Sequence, residues 1–304
     1  MPKPIGLPPY VRAKEKCVFL AVDGKKDAGE VFAEIDKAVN GPILPHLAGV
    51  KFNDILHRAD LGEQLVKDFA ARYPHLMPFI PFVDLKSVDV WDTFRNYLAI
   101  YYPAYPGLVV TVSIHSSAQV FNKTPLEFPE ARVAVFCVGT DVTTDECIEM
   151  YGRKPDKCAK KWIGVKEGFY SKWREGYPSL EKKEPGWPAI LEQEHLAVHA
   201  ISSAEMLPMY RKMFPWLGPV VPGVRDFWML AGNQRRTALT KEALWNGAEY
   251  LVLGKQLTVG NKALGVDQLE SQRRTARQIR LGLGTGSPDD AAEELEELQT
   301  LSTY

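Results

Sequence analysis

The sequence predicts an α/β protein whose strands close into a (β/α)8 barrel. Three features carry this reading. Eight short apolar runs recur along the 304 residues, helix-like stretches lie between many of them, and the runs are β-branched and apolar on both faces. Strands covered on both faces read as continuous hydrophobic runs, as in a parallel sheet. Strand alternating with helix argues the same, and eight such units match a TIM barrel. An open doubly wound sheet is the alternative arrangement. No GxGxxG follows the first run, which counts against its dinucleotide-binding form.

The runs fall at Cys17–Asp23, Leu47–Leu56, Met77–Lys86, Leu108–Ile114, Arg132–Val138, Leu196–Ile201, Gly218–Pro222 and Glu249–Gly254. Apolar residues at helical spacing mark Gly24–Asn40, Gly62–Tyr73, Trp91–Tyr102, Ala204–Phe214 and Lys241–Asn246. Two segments break the rhythm. Arg153–Glu184, between the fifth and sixth strands, carries ten Lys/Arg and five Asp/Glu with Trp162, Phe169, Tyr170, Trp173 and Tyr177 interleaved. It reads as an elaborated loop whose aromatics pack under a solvated basic cover. From Gly284 the chain turns Gly/Ser/Pro-rich, then carries six acidic residues from Asp289 onward and no basic ones. That is an acidic tail or short peripheral helix without chemistry. The expected organisation is a barrel over 1–282, including the 153–184 insertion, and a tail over 283–304.

Composition bounds the function. Lys plus Arg is 37 and Asp plus Glu is 38, a net charge of -1, without the basic footprint of a nucleic-acid binder. Four cysteines and no CxxC pair argue against a disulfide framework or zinc site and suit a reducing compartment. The Pro-rich, polar N-terminus has no apolar signal segment, and no run approaches the roughly 20 residues that span a bilayer. A cytoplasmic protein is expected.

Active-site groups of a barrel sit at the C-terminal ends of its strands. The polar residues there are Asp23, Lys51, Asp84 with Lys86, His115, Thr140, Ser202 and Ser203, Arg225 and Lys255. Asp84 and Lys86 are two apart, so period-two alternation points both into the barrel. Asp89 follows past the strand end, and Lys51 ends the neighbouring strand. Two Lys and two Asp can thus form an alternating charge network. A buried Lys is costly unless paired, and paired with carboxylates it stays charged and fixed. A fixed ammonium is what protonates a carbanion as it forms. His115 lacks HxH or HExxH companions and reads as a polar residue of the barrel mouth, not a metal ligand. No metal or cofactor is expected.

The last two units hold the phosphate candidates. Val220–Arg225 (VVPGVR) supplies a turn with Gly223 and Arg225, Gly232–Arg236 (GNQRR) adds Gln234 and Arg235, and Gly254 with Lys255 ends the eighth strand. Loops after strands seven and eight are the habitual phosphate grip of the fold.

These residues resemble orotidine 5′-phosphate decarboxylase, as a divergent member. The resemblance is carried by Leu20–Asp23 (LAVD), Val50–Leu56 (VKFNDIL), Val83–Phe94 (VDLKSVDVWDTF), Val220–Arg225, and Gly232–Thr258 (GNQRRTALTKEALWNGAEYLVLGKQLT). They run from first strand to last in the family's order. The resemblance implies decarboxylation of orotidine 5′-phosphate to UMP without metal or organic cofactor, in pyrimidine biosynthesis. It implies that Lys51, Asp84, Lys86 and Asp89 form the charged tetrad, with Lys86 protonating C6 and Asp84 against the departing carboxylate. Asp23 would bind the ribose hydroxyls. Thr140 stands where the family has a Ser on the pyrimidine. Asp89 and Thr93 would cross into the partner's site of a homodimer. The chain departs from the pattern at the phosphate: Gly254-Lys255-Gln256 replaces Gly-Arg-Pro, and Asp226 and Phe227 replace a Gln. Lysine cannot grip bidentately, and an Asp beside a phosphate would repel it, leaving Arg235 or Gln234 to compensate.

Two other readings stand beside this one. Mg2+-dependent sugar-phosphate decarboxylases and aldolases of the same superfamily share D-x-K-x-x-D, but carry a Glu near the position of Lys51 and lack the Thr of Thr93. A non-catalytic relative would bind nucleotide or RNA through the basic insertion.

Overall fold

In a computed structural model, eight parallel strands close a barrel in sequence order, β1 pairing with β8. The structure describes residues 15–58, 61–76, 78–139, 142–164, 198–214, 217–229 and 238–301. Thr140, Gln234, Arg235 and the insertion beyond residue 164 lie outside them. The strands are β1 (Val18–Val22), β2 (Leu47–Phe52), β3 (Ile80–Ser87), β4 (Val109–Ser113), β5 (Arg132–Phe136), β6 (Val198–Ile201), β7 (Gly218–Val221) and β8 (Tyr250–Leu253). The longest connection runs from β5 to β6. Its described part holds α5 (Thr144–Tyr151) and a second helix, α6, over 155–164.

Alternation along the strands builds two cores. One face of each strand packs under the outer helices, among them α1 (Ala28–Val39), α2 (Gly62–Arg72), α3 (Trp91–Tyr101) and α4 (Ala118–Glu127). The other face fills the barrel with Phe19, Ile80, Phe82, Val109, Val220 and Tyr250. Phe19 stacks edge-on against Phe82 with centroids 5.2 Å apart and tilts onto Tyr250 at 5.0 Å. These rings plug the barrel and form the floor beneath its polar mouth. At the N-terminal ends of β6 to β8, His199 and Glu249 are both buried, 3.2 Å apart, and Gly218 leaves the room they occupy.

Local signals set the helix ends. Asp27 caps α1 by accepting from the Glu30 amide, and α5 opens with a reciprocal Thr143–Glu146 capping box. Two further short helices follow β6 and β7: α7 (Leu207–Met213) and α8 (Thr240–Trp245). After β8 come α9 (Lys255–Thr258), α10 (Gln268–Leu283) and α11 (Pro288–Leu301).

Helix α10 went unread in the sequence, for a physical reason. Its buried face carries Ser271, Gln272, Thr275 and Gln278, so apolar periodicity is faint. Hydrogen bonds replace apolar contact there. Ser271 Oγ accepts from Trp228 Nε1 at 3.0 Å and donates to the Gln256 carbonyl at 2.6 Å, while Gln272 Nε2 donates to Leu257 O at 2.7 Å. The acidic C-terminal stretch forms α11 and lies along α10. Its Glu293 meets Arg277 at 2.6 Å, Glu297 meets Arg274 at 3.2 Å, and Asp290 pairs with Arg280. The hydrogen bond from Arg280 pulls the Asp290 carboxyl down to about 2. Among the described residues no helix is long and apolar enough to cross a membrane.

Strand β2 approaches β3 closely at Gly49, where a Cβ would lie 1.9 Å from the Ile80 carbonyl oxygen. The neighbour is backbone, so the strands must separate to admit a methyl group. Gly49→Ala is therefore expected to cost about 1–3 kcal/mol or more. A melting midpoint within a degree of the wild type would contradict this packing.

Candidate active site

At the C-terminal ends of β1, β2 and β3, four charged side chains form one chain of contacts. Lys51 Nζ donates to Asp23 Oδ1 at 3.2 Å and to Asp84 Oδ2 at 3.1 Å. Lys86 Nζ donates to the same Asp84 oxygen at 2.8 Å. The order is Asp23–Lys51–Asp84–Lys86, with charges alternating along it. Register explains the meeting. Lys51 lies opposite Ala21 on β1 and Phe82 on β3, and Asp84 stands two residues beyond Phe82 on the inward face. The inward side chains thus change from aromatic to charged in one step along β3.

Burial and pairing compete at the centre of this chain. Burial opposes charge on Lys51, but the Asp84 and Asp23 carboxylates outweigh it and hold the ammonium above the ordinary lysine range. Burial likewise raises Asp84, and Lys51 with Lys86 outweighs it, so the carboxyl lies below its ordinary range. Both central groups are therefore ionised at neutral pH. Removing one partner would strand the other charge in the interior, at a cost of about 3–5 kcal/mol. The outer members reach solvent: the side chains of Asp23 and Lys86 are 50% and 58% exposed. Asp84 keeps a second, buried oxygen, Oδ1, that no described residue hydrogen-bonds.

Lys86 reaches Asp84 by an unusual backbone. Simple alternation put the two side chains on one face because they are two residues apart. In the structure β3 bulges instead: Val83 pairs with Val110 and Ser87 with Val112, so β3 holds extra residues between the two pairs. Within the bulge Lys86 has φ 50°, the left-handed region, and it is the one non-glycine residue there among those described. Such a conformation costs of order 1–3 kcal/mol and persists where its surroundings enforce it. The Lys86 amide donates to the Thr111 hydroxyl at 2.7 Å.

The other expected site residues are placed as follows. Asp89 stands apart from the cluster within this chain; its carboxylate accepts from Ser87 Oγ at 2.7 Å and its amide donates to Ser116 Oγ at 3.3 Å. Thr93 is half-buried on the first turn of α3. Gly223 takes a positive φ of 75°, which its turn requires. Arg225 is half-buried; burial lowers its pKa, and its guanidinium donates to the neighbouring Val224 carbonyl at 2.7 Å. Gly254 and Lys255 open α9 at the end of β8, with Lys255 exposed. His115 is exposed and sets its ring edge-on to Trp162, centroids 4.5 Å apart.

One expectation is corrected. Asp226 does not face the phosphate candidates as a repelling charge. It is buried, its carboxylate accepting from the Thr240 amide at 2.8 Å and hydroxyl at 2.7 Å and from Gln256 Nε2 at 2.5 Å. The residue ties the loop after β7 to the start of α8 and to α9. Gln256, one of the departures from the family pattern, is thus its partner. Sequence reading also missed Asp54, which accepts from the Gly24 amide at 2.9 Å and holds the turn after β1 beside Asp23. Asp54 and Thr240 lie within segments that carry the resemblance but stand at no strand end, and Thr111 lies in none of those segments; each acts through partners that the fold brings to it. Among the described residues, no group of three or more His, Cys, Asp or Glu could hold a metal ion.

Comparison with known structures agrees with the architecture. The orotidine 5′-phosphate decarboxylase of Lactobacillus acidophilus superimposes with a TM-score of 0.53 at 15% identity, over 87% of this chain and 99% of that one. The Leishmania donovani OMP decarboxylase gives 0.54 at 16%, over 90% and 95%. The Plasmodium berghei orotidine 5′-monophosphate decarboxylase gives 0.56 at 14%, over 83% and 71%. At identity this low, the superposition establishes a shared fold alone. No family model and no curated protein sequence matches the chain.

Burial pushes the Asp226 carboxyl up to about 6 despite its hydrogen bonds. Its folded value thus lies above that of the unfolded chain, near 4, and folding takes up a proton between them. Its ionisation lowers stability as pH rises from about 4 to about 6, by roughly 3 kcal/mol. Asp226→Asn should therefore gain on the wild type across that range in urea titrations. Parallel stability curves for the two proteins would refute the assignment.

Proposed function

We propose that the protein decarboxylates orotidine 5′-phosphate to UMP, a carboxy-lyase reaction that requires no metal or cofactor. The observation that carries this reading is the contact chain Asp23–Lys51–Asp84–Lys86 at the barrel mouth. It offers an ammonium, on Lys86, that is both held by a carboxylate and open to solvent. The chemistry needs such a group. Breaking the bond from C6 to the carboxylate releases CO2 and leaves its electron pair on C6. An ammonium beside that carbon stabilises the developing charge and then delivers a proton to it. Lys86 is left neutral and regains a proton from solvent.

The remaining residues have supporting parts. Lys51 keeps Asp84 ionised, and Asp84 holds Lys86 in place. Asp23, half-exposed at the mouth, accepts from ribose hydroxyls. Arg225 and Lys255, with the backbone at Gly223 and Gly254, take the phosphate; the resemblance assigns Gln234 and Arg235 to the same grip and Thr140 to the pyrimidine. Phosphate binding far from C6 can drive closure around the reacting group. Lys51 argues against the magnesium-dependent alternative, because its ammonium already pairs with both Asp23 and Asp84.

A homodimer belongs to this reading. Val88 and Val90, on either side of Asp89, are 61% and 62% exposed, and Tyr97 and Ile100 are exposed on α3. A partner packed on these apolar side chains would receive Asp89 and Thr93 at its own site. Solvent-exposed apolar groups around a functional carboxylate are what such an interface leaves on a single chain.

The purified protein should convert orotidine 5′-phosphate to UMP in EDTA, followed by the fall in substrate absorbance. Lys86→Ala should lower kcat by about a thousandfold or more with the circular dichroism spectrum intact. Turnover that requires added Mg2+, or nucleotide binding with no turnover, would overturn the proposal.

A further inference from the structure

We infer that Thr111 is a positioning residue for the Lys86 ammonium, its hydroxyl fixing the backbone conformation from which Lys86 reaches Asp84. The role in catalysis rests on the decarboxylase reading; the role in geometry does not.

Three observations converge on Thr111. It is wholly buried on β4, two residues after Val109, which lines the barrel interior and pairs with Phe82, so its side chain points inward at the level of Asp84. It stands opposite the bulge in β3, between Val110 and Val112, the residues that pair with Val83 and Ser87. Its hydroxyl oxygen is the acceptor for the amide of Lys86, at 2.7 Å.

The bulge makes this contact necessary. In a regular parallel ladder every inward-facing strand residue sends its amide to a neighbouring carbonyl. Between Val83 and Ser87 the register of β3 and β4 is broken, and the Lys86 amide turns to a side chain instead. A left-handed lysine without an acceptor for that amide carries both strain and an unmet hydrogen bond. The threonine removes the second cost and makes the strained conformer the one that persists. Valine at this position would fill the same space and accept nothing. The strand could then relax toward ordinary extended backbone, which moves the start of the Lys86 side chain relative to Asp84. Misplacement of a reacting group by about 1 Å costs about a hundredfold in rate.

The test compares Thr111→Val with Thr111→Ser in the full-length protein. Crystal structures of both variants, and kcat and KM for orotidine 5′-phosphate, are the readouts. Thr111→Val should move Lys86 out of the left-handed region, lengthen its contact with Asp84, and lower kcat about a hundredfold with KM changed less than threefold. Thr111→Ser, which keeps the acceptor and loses a methyl group, should retain the left-handed Lys86 and stay within about fivefold of the wild-type kcat. A Thr111→Val structure that keeps Lys86 left-handed and on Asp84 overturns the inference, as does an equal loss of kcat in both variants. If the wild type does not turn over orotidine 5′-phosphate, the decarboxylase reading fails, and the two crystal structures still decide whether Thr111 sets Lys86.

Discussion

Asp84 is a buried carboxylate shared by two ammonium groups, and the arrangement of the mouth follows from that fact. A lone carboxylate at this depth would be driven to its neutral form. Lys51 prevents this from the barrel wall, and Lys86 completes the pairing from the rim. Neither lysine can be moved without exposing the carboxylate to a low-dielectric interior with too little compensation. The strained turn at Lys86 is tolerated in that setting, because the ion pair and the Thr111 hydroxyl both select it.

The rest of the barrel supports this mouth in two different ways. Below it, aromatic rings from β1, β3 and β8 close the interior, so the charged layer has a floor that excludes water. Beside it, the described residues of the loops after β7 and β8 are held by polar contacts. Asp226 joins Thr240 and Gln256, Gln256 reaches Thr275, and Ser271 and Gln272 accept or donate along α10. Directional bonds define loop positions more narrowly than apolar contact does, which suits the side of the barrel where Arg225 and Lys255 stand. The acidic α11 then covers the arginines of α10 with a matching row of carboxylates.

Much of the architecture was legible because it depends on local patterns. The apolar runs at Val18, Leu47, Ile80 and Val109 become strands, since short β-branched runs that are apolar on both faces suit a doubly covered sheet. Helix α10 escaped notice because its buried face is built from Ser, Gln and Thr, and hydrogen bonding leaves no hydrophobic period. Asp226 looked like an obstacle to phosphate for a related reason. Its neighbours in sequence are loop residues, and its partners lie 14 and 30 positions away.

The sequence by itself determined where strands fall along the chain and the presence of Lys51, Asp84 and Lys86 near strand ends, because residue type and spacing are local quantities. The tertiary structure decided how those charges meet. Strand register brought Asp23 to Lys51 and left Asp89 on Ser87, and a bulge replaced simple alternation between Asp84 and Lys86. Register and bulges are settled by what packs across the barrel from each strand. No single segment of the chain contains that information.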